Sequence, residues 1–179
     1  MTIIDYLKQQ FIEEGAITRK FLTLVNESDW HYKPHEKSMP MNALATHIAD
    51  LPGWFHMTLT TDELDFAKHP EQTALKDNQE LLAYFDKRYE EGLSVLIPEN
   101  EALLQQPWTL RHADNIFLTE PKVSVLCMSM SQQIHHRAQS GAWPARPGPA
   151  RRPAGRRHLR SLGAAADRHP RQAAAQRRP

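Results

Sequence analysis

Apolar residues return every three or four positions in four separate stretches of the chain, and this periodicity limits the fold more than any other feature. The spacing matches the 3.6-residue turn of an α-helix with one buried face. It predicts helices over about residues 2–26, 38–59, 78–96 and 121–139. Four amphipathic helices without a convincing sheet predict an all-α protein that folds as a four-helix bundle.

Proline and turn residues divide and connect these helices. Ser38 is a suitable N-cap for the second helix, with Pro40 in the first turn. Pro52 interrupts the same helix and predicts a kink or a short break there. Residues 62–79 are polar and predict a connection. Between residues 99 and 120, two short runs allow either a hairpin or an ordered loop: Trp108-Thr109-Leu110 and Asn115-Ile116-Phe117-Leu118.

Composition changes abruptly near Ser140. The whole chain has 22 Lys and Arg and 21 Asp and Glu, but residues 140–179 hold ten Arg, ten Ala and six Pro with a single Asp. Residues 1–139 therefore carry a net charge of −8, and the overall +1 is no argument for binding nucleic acid or membrane. We predict one domain over 1–140 and a disordered Arg/Ala/Pro-rich tail over 141–179. A shifted reading frame in a GC-rich gene would produce such a tail.

Several classes of protein are disfavoured. The chain has no apolar run of about 18 residues that could span a bilayer and no secretory leader, so we expect a cytoplasmic protein. It also lacks a Gly-rich phosphate loop, a paired-cysteine metal motif and a Gly-x-Ser-x-Gly nucleophile. Cys127 is the only cysteine, and its apolar neighbours predict a buried, unreactive thiol. Nucleic-acid binding through the arginine tail would have favourable electrostatics, but the tail lacks a set of aromatic side chains or a structured segment to accompany it.

Histidines lie on two of the predicted apolar helical faces. His47 has leucines one turn before and one turn after it, so its ring should point toward the interior. On the last helix, Gln132 and His136 share a face, whereas His135 is rotated by about 100°. A buried imidazole needs partners for both nitrogens, which a metal ion, a backbone carbonyl or a side chain can supply. The other histidines before residue 140 are expected at the surface: His31, His35, His56, His69 and His112.

Two segments carry a family resemblance: Ser-Met-Pro-Met-Asn-Ala-Leu-Ala-Thr-His-Ile-Ala-Asp-Leu-Pro-Gly-Trp (38–54) and Ile-His-His-Arg-Ala-Gln (134–139). They are similar to the signature segments of the DinB family, the damage-inducible proteins, in the same order and at the same separation. The resemblance covers residues 1 to about 139 and includes Trp30 and Pro34 in the loop before the second helix. It implies a four-helix bundle that is commonly a homodimer.

The resemblance also implies one divalent metal ion, zinc or nickel. The family holds it with a histidine of the second helix and two histidines four residues apart on the last helix. His47 matches the first ligand and His136 the third, but Gln132 occupies the second position. Glutamine offers a neutral oxygen that binds such a metal less strongly than imidazole. Gln132 therefore ligates weakly, a water takes its place, or the metal is lost.

For this chain the resemblance implies a metal-dependent enzyme, either hydrolase-like or a low-molecular-weight-thiol S-transferase. Three protein ligands would leave an open position where the ion lowers the pKa of a bound water or thiol. Asp50, one turn after His47, is either an acceptor that orients the ring or a solvated carboxylate. The alternative is a non-catalytic bundle that only dimerises or binds a small apolar ligand, in which Gln132 marks a degraded metal site.

Overall fold

Helices dominate residues 1–68 and 75–141, the part of the chain that the computed structural model describes. The α-helices are α1 (Ile3–Leu22), α2 (Met41–Asp50), α3 (Gly53–Thr60), α4 (Asn78–Ser94) and α5 (Lys122–Gly141). The strands are β1 (Glu63–Asp65), β2 (Pro107–His112) and β3 (Asn115–Pro121). Short 3-10 turns cover Glu27–Asp29 and Pro98–Leu103. In the described residues no helix is both long and apolar enough to cross a membrane.

The four predicted helical stretches are present, and the second is split. The helix α2 ends at Asp50 and α3 begins at Gly53, so the proline at position 52 separates two helices. Proline has no N–H to donate and its ring clashes with the preceding turn, which explains the break.

The start of α2 differs from the prediction. Its N-cap is Pro40, and no side chain caps the helix there, so Ser38 does not have the predicted role. The amide groups of Met41 and Asn42 donate instead to the carbonyls of Tyr32 and Trp30, at 3.0 and 2.9 Å. These backbone bonds satisfy N–H groups at the start of the helix that would otherwise need a capping side chain as acceptor.

A small three-stranded sheet corrects the prediction of a purely all-α protein. The strand order is β1-β2-β3, with β1 parallel to β2 and β2 antiparallel to β3. The hairpin of β2 and β3 is one of the two interpretations that the sequence left open for residues 99–120. The strand β1 lies in the predicted connection and has three residues, too few to show the period-two pattern of a strand.

The sheet positions the start of α5, because β3 leads directly into that helix. The Trp108 side chain is fully buried, and its indole N–H donates to the hydroxyl of Thr61 at 3.1 Å. Lys122, the first residue of α5, donates from Nζ to the Thr61 carbonyl at 2.8 Å. Trp108 of β2 and Lys122 of α5 therefore both bond to Thr61, the residue that follows α3.

Apolar residues of the helices form two main clusters. One joins the end of α1 to α2 and the start of α4, and its members include Leu22, Ile48, Leu81 and Phe85. The other joins the start of α1 to α3 and α5, and its members include Ile4, Phe11, Phe55 and Leu126. Tyr89 of α4 packs against both. The buried polar residues include Thr18 on α1, and Ser129 and Gln133 on α5.

The end of α5 lies slightly beyond the predicted one. The helix continues to Gly141, two residues past position 139, and the Ser140 hydroxyl donates to the carbonyls of His136 and Arg137. Residues 142–179 lie outside the described residues, so the disordered or frame-shifted tail stays a prediction. The segment 69–74, which contains His69, is also outside them.

Candidate metal centre

His47 and His136 meet where α2 packs against α5. Their ring centroids are 4.8 Å apart, and the rings lie edge to face with an interplanar angle of 77°. Both side chains are half-buried. The structure thus brings together two of the three metal ligands that the sequence proposed, from helices separated by more than 70 residues.

One nitrogen of His136 already has a partner. Its Nδ1 lies 2.8 Å from Oε1 of Gln139, one turn later on the same helix. With the proton on Nδ1, the imidazole donates to the amide oxygen, and the lone pair of Nε2 remains available. A partner of this kind is typical of metal-binding histidines, because it holds the ring and selects the tautomer.

His47 favours its neutral form. Burial lowers the pKa of His47 below the ordinary value of 6.5, and the nearby His136 lowers it further. The Asp50 carboxylate acts in the opposite direction and raises the pKa of His47, but with the smallest effect of the three. A neutral imidazole is the form that binds a metal ion.

The two adjacent glutamines of α5 have different surroundings. Gln132, the predicted ligand, is exposed to solvent one turn before His136. Gln133 is only 5% exposed, and its Nε2 has no hydrogen-bond partner among the described residues. Thr58 Oγ1 on α3 is the other buried side-chain atom of those residues without a partner.

The residues present fit a divalent ion, although weakly. Within residues 1–68 and 75–141, no group of three His, Cys, Asp or Glu side chains could hold a metal ion. Two imidazoles are nevertheless in contact, and a buried carboxamide whose Nε2 has no partner in the described residues lies on the same helix as one of them. Imidazole nitrogen suits zinc and nickel, and an amide oxygen adds a weaker donor.

Asp50 has neither of the roles that the sequence suggested. Its carboxylate accepts from the Tyr84 hydroxyl at 2.6 Å and from Arg88 Nε at 3.0 Å, so in the described residues its hydrogen bonds go to α4 and not to His47. Arg88 also donates to Glu91 at 2.6 Å. Burial, together with the Asp50 carboxylate, raises the pKa of Tyr84 well above its ordinary value. This network ties the His47 helix to α4.

Sequence reasoning missed Tyr84 and Arg88. They are four residues apart on α4, a spacing that places two side chains on one face of a helix. Nothing local to α4 indicates that their shared partner, Asp50, lies 34 residues before Tyr84 and 38 before Arg88.

Arg137 fixes the part of α5 that carries His136. Its guanidinium donates to Thr18 Oγ1 at 2.8 Å and to Glu14 Oε2 at 2.6 Å, both on α1. The sequence singled this arginine out as part of a signature segment, and the structure gives it a positioning role.

The prediction that Cys127 is buried is wrong, because its side chain is exposed. Val125 and Leu126 are buried next to it, but neighbouring residues on a helix point about 100° apart, so apolar neighbours in sequence do not bury a side chain. His31, His35 and His112 are exposed as expected, whereas His56 on α3 is half-buried.

Comparisons with known proteins agree with the resemblance in the sequence. The model of the DinB family matches residues 4–153, past the change in composition near residue 140. The crystal structure of a DinB-like protein, YjoA from Bacillus subtilis, is similar with a TM-score of 0.57 and 18% identity. The match covers 75% of this chain and 86% of that protein, and it supports the fold. No curated protein matches the chain. Because the family model matches well over half of its length, this chain belongs to the DinB family.

Proposed function

We propose that this protein binds one divalent cation, zinc or nickel, between α2 and α5 through His47 and His136. The observation that carries the proposal is the contact of the two rings, with centroids 4.8 Å apart. Nitrogens that share a tetrahedral zinc ion lie about 3.4 Å apart when each Zn–N bond is about 2.1 Å, which is compatible with this separation. The lowered pKa of His47 and the Gln139 partner of His136 both favour rings that are ready to bind.

The proposed activity is the activation of a water or of a low-molecular-weight thiol, in a hydrolase or a thiol S-transferase. When bound, the ion would lower the pKa of a coordinated water or thiol toward neutrality. The surrounding residues hold the ligands in place: Gln139 orients His136, Arg137 joins α5 to α1, and Asp50 joins α2 to α4.

Elemental analysis of the purified protein after zinc or nickel loading tests the metal site. We expect about one ion per chain in the wild type, and its loss in His47→Ala and His136→Ala, because each variant removes an imidazole ligand. His112→Ala is the matched control, because it removes an exposed imidazole on β2 and should leave the metal content unchanged. A metal-free wild type, or a His47→Ala variant with full metal content, would contradict the proposal.

The cobalt-substituted protein distinguishes the two reaction classes. If the site takes a thiol, addition of a small thiol should produce a thiolate-to-cobalt charge-transfer band, because the sulfur would bind the ion directly. If the site activates only water, the spectrum should not respond to thiols, while a simple activated ester should be hydrolysed in a His47-dependent manner.

The second candidate is a non-catalytic bundle that dimerises or binds a small apolar ligand, with a degraded metal site. It is favoured by the exposed position of Gln132 and by the lack of a three-residue cluster of His, Cys, Asp or Glu in the described residues. A metal-free protein whose stability is unchanged in His47→Ala would support it.

We also propose that the protein is a homodimer, as the family resemblance implies. Support comes from three exposed apolar side chains whose positions fall within about 60° around α1: Ile3, Tyr6 and Ile17. Burying such a row against a second copy would remove apolar surface from water.

A further inference from the structure

The buried carboxamide of Gln133 has no explanation within the fold. The side chain is 95% buried, and its Nε2 has no hydrogen-bond partner among the described residues. Buried polar groups are nearly always paired, because an amide that has lost its water without gaining a partner is costly. An unpaired amide on the helix that carries His136 therefore points to a ligand.

The contacts of α5 show which way Gln133 points. Ser129 faces α2, since its hydroxyl donates to the Leu51 carbonyl at 2.9 Å, and His136 faces the same helix through His47. On a helix of 100° per residue, position 133 lies about 40° from Ser129 and about 60° from His136. Gln133 therefore projects into the interior, on the same buried side of α5 as Ser129.

Gln133 also lies close in direction to a fully buried residue. Leu126, two turns earlier, packs in the cluster that joins α1, α3 and α5, and helical geometry places it about 20° from position 133. Gln132 shares a helix face with His136, about 40° away, but it lies on the solvent side of that face and is exposed. The two glutamines are therefore not equivalent candidates for an interior site.

We infer that Gln133, and not Gln132, is the third protein ligand of the cation proposed between His47 and His136; this inference rests on that proposed function. Residues three apart on a helix bind a common ion in other helical bundles, where a carboxylate and a histidine have this spacing. A half-turn of the carboxamide exchanges Nε2 with Oε1, so the position without a partner can present oxygen to a cation. The exposed Gln132 side chain would have to lose its hydration to bind the same cation.

Titrations with cobalt and with zinc in competition with a chromophoric chelator test the inference on the full chain. Gln133→Leu should weaken binding by at least about tenfold and change the cobalt d–d spectrum, because one ligand is lost. Gln132→Leu, the same change one position away, should bind like the wild type. Gln133→Glu should bind more tightly, because it supplies a charged oxygen.

The possible outcomes separate this inference from the proposed function. If Gln132→Leu weakens binding and Gln133→Leu does not, or if neither changes it, the inference is overturned while the histidine site stands. A wild type that binds neither metal overturns both. If neither glutamine variant changes metal binding, or if the wild type binds no metal, a buried water is the simpler partner for the Gln133 amide.

Thermal unfolding of the metal-free variants shows whether they are folded. Leucine removes the unpaired donor and has a similar volume, so Gln133→Leu should unfold no earlier than the wild type. If that variant does not fold, Gln133→Glu decides. Zinc should raise its melting temperature more than that of the wild type, and an equal or smaller rise overturns the inference.

Discussion

At the scale of single residues, the protonation of His47 links the candidate site to stability. Burial and His136 lower the pKa of His47 in the folded protein below 6.5, so below that pH the unfolded state binds the proton more readily. We expect the metal-free protein to lose stability as the pH falls from 6.5 through the lowered folded pKa. Urea unfolding across this range, with a chelator present, measures it. His47→Gln should reduce the slope, and an identical slope in both proteins would show that other groups cause it.

Arg137 should contribute more to stability than a similar ion pair at the surface. The Arg137 and Glu14 side chains are 15% and 20% exposed, whereas those of Arg19 and Asp86 are 49% and 40% exposed. Arg137→Met leaves the half-buried Glu14 and the Thr18 hydroxyl without their partner, so we expect a loss of about 1.5–3 kcal/mol in the free energy of unfolding.

Arg19→Met is the matched control for Arg137→Met. Both pairs join α1 to another helix, but water screens the exposed pair, so we expect a change within about 0.5 kcal/mol. Urea unfolding of both variants measures the difference. Equal losses would mean that burial does not determine the strength of these pairs.

At the scale of helices, close packing at Gly92 holds α4 against the break between α2 and α3. A Cβ atom there would collide with the Pro52 carbonyl oxygen and would lie 2.7 Å from Cζ of Phe11. Alanine favours a helix over glycine by about 1 kcal/mol, but overpacking costs about 1–3 kcal/mol. We expect Gly92→Ala to be destabilising by about 1–2 kcal/mol on balance.

Glu90→Ala, at an exposed position of the same helix, is the control for Gly92→Ala and should change stability by less than about 0.5 kcal/mol. Thermal or urea unfolding measures both variants. A stabilised Gly92→Ala protein would show that α4 can move away from Pro52 without loss.

At the scale of the whole molecule, we expect the proposed homodimer to form through the exposed apolar side chains of α1. Ile17→Glu would bury a carboxylate in an apolar interface, so we expect the dimer to dissociate, with a dissociation constant at least about tenfold higher. Sedimentation velocity measures the association. Ile116→Glu, an equally exposed apolar position on β3, is the control and should leave it unchanged. Association that responds to Ile116→Glu alone would place the interface at the sheet.

The sequence was sufficient for features that depend on local geometry. Helical periodicity predicted the four helical stretches, and proline chemistry predicted the break at Pro52, because both are properties of a few consecutive residues. The signature segments indicated the family and the histidines that the structure brings together. The three-residue strand β1 had no such signal, since it is recognised only by its pairing with β2.

Only the tertiary structure decided which polar side chains meet. The partners of Asp50 and Arg137 lie on other helices, and which of Gln132 and Gln133 is buried depends on how α5 is rotated against its neighbours. A rotation of one residue, about 100°, exchanges a buried side chain for an exposed one. That rotation is set by packing along the whole helix, which is why it was not visible at any single position in the sequence.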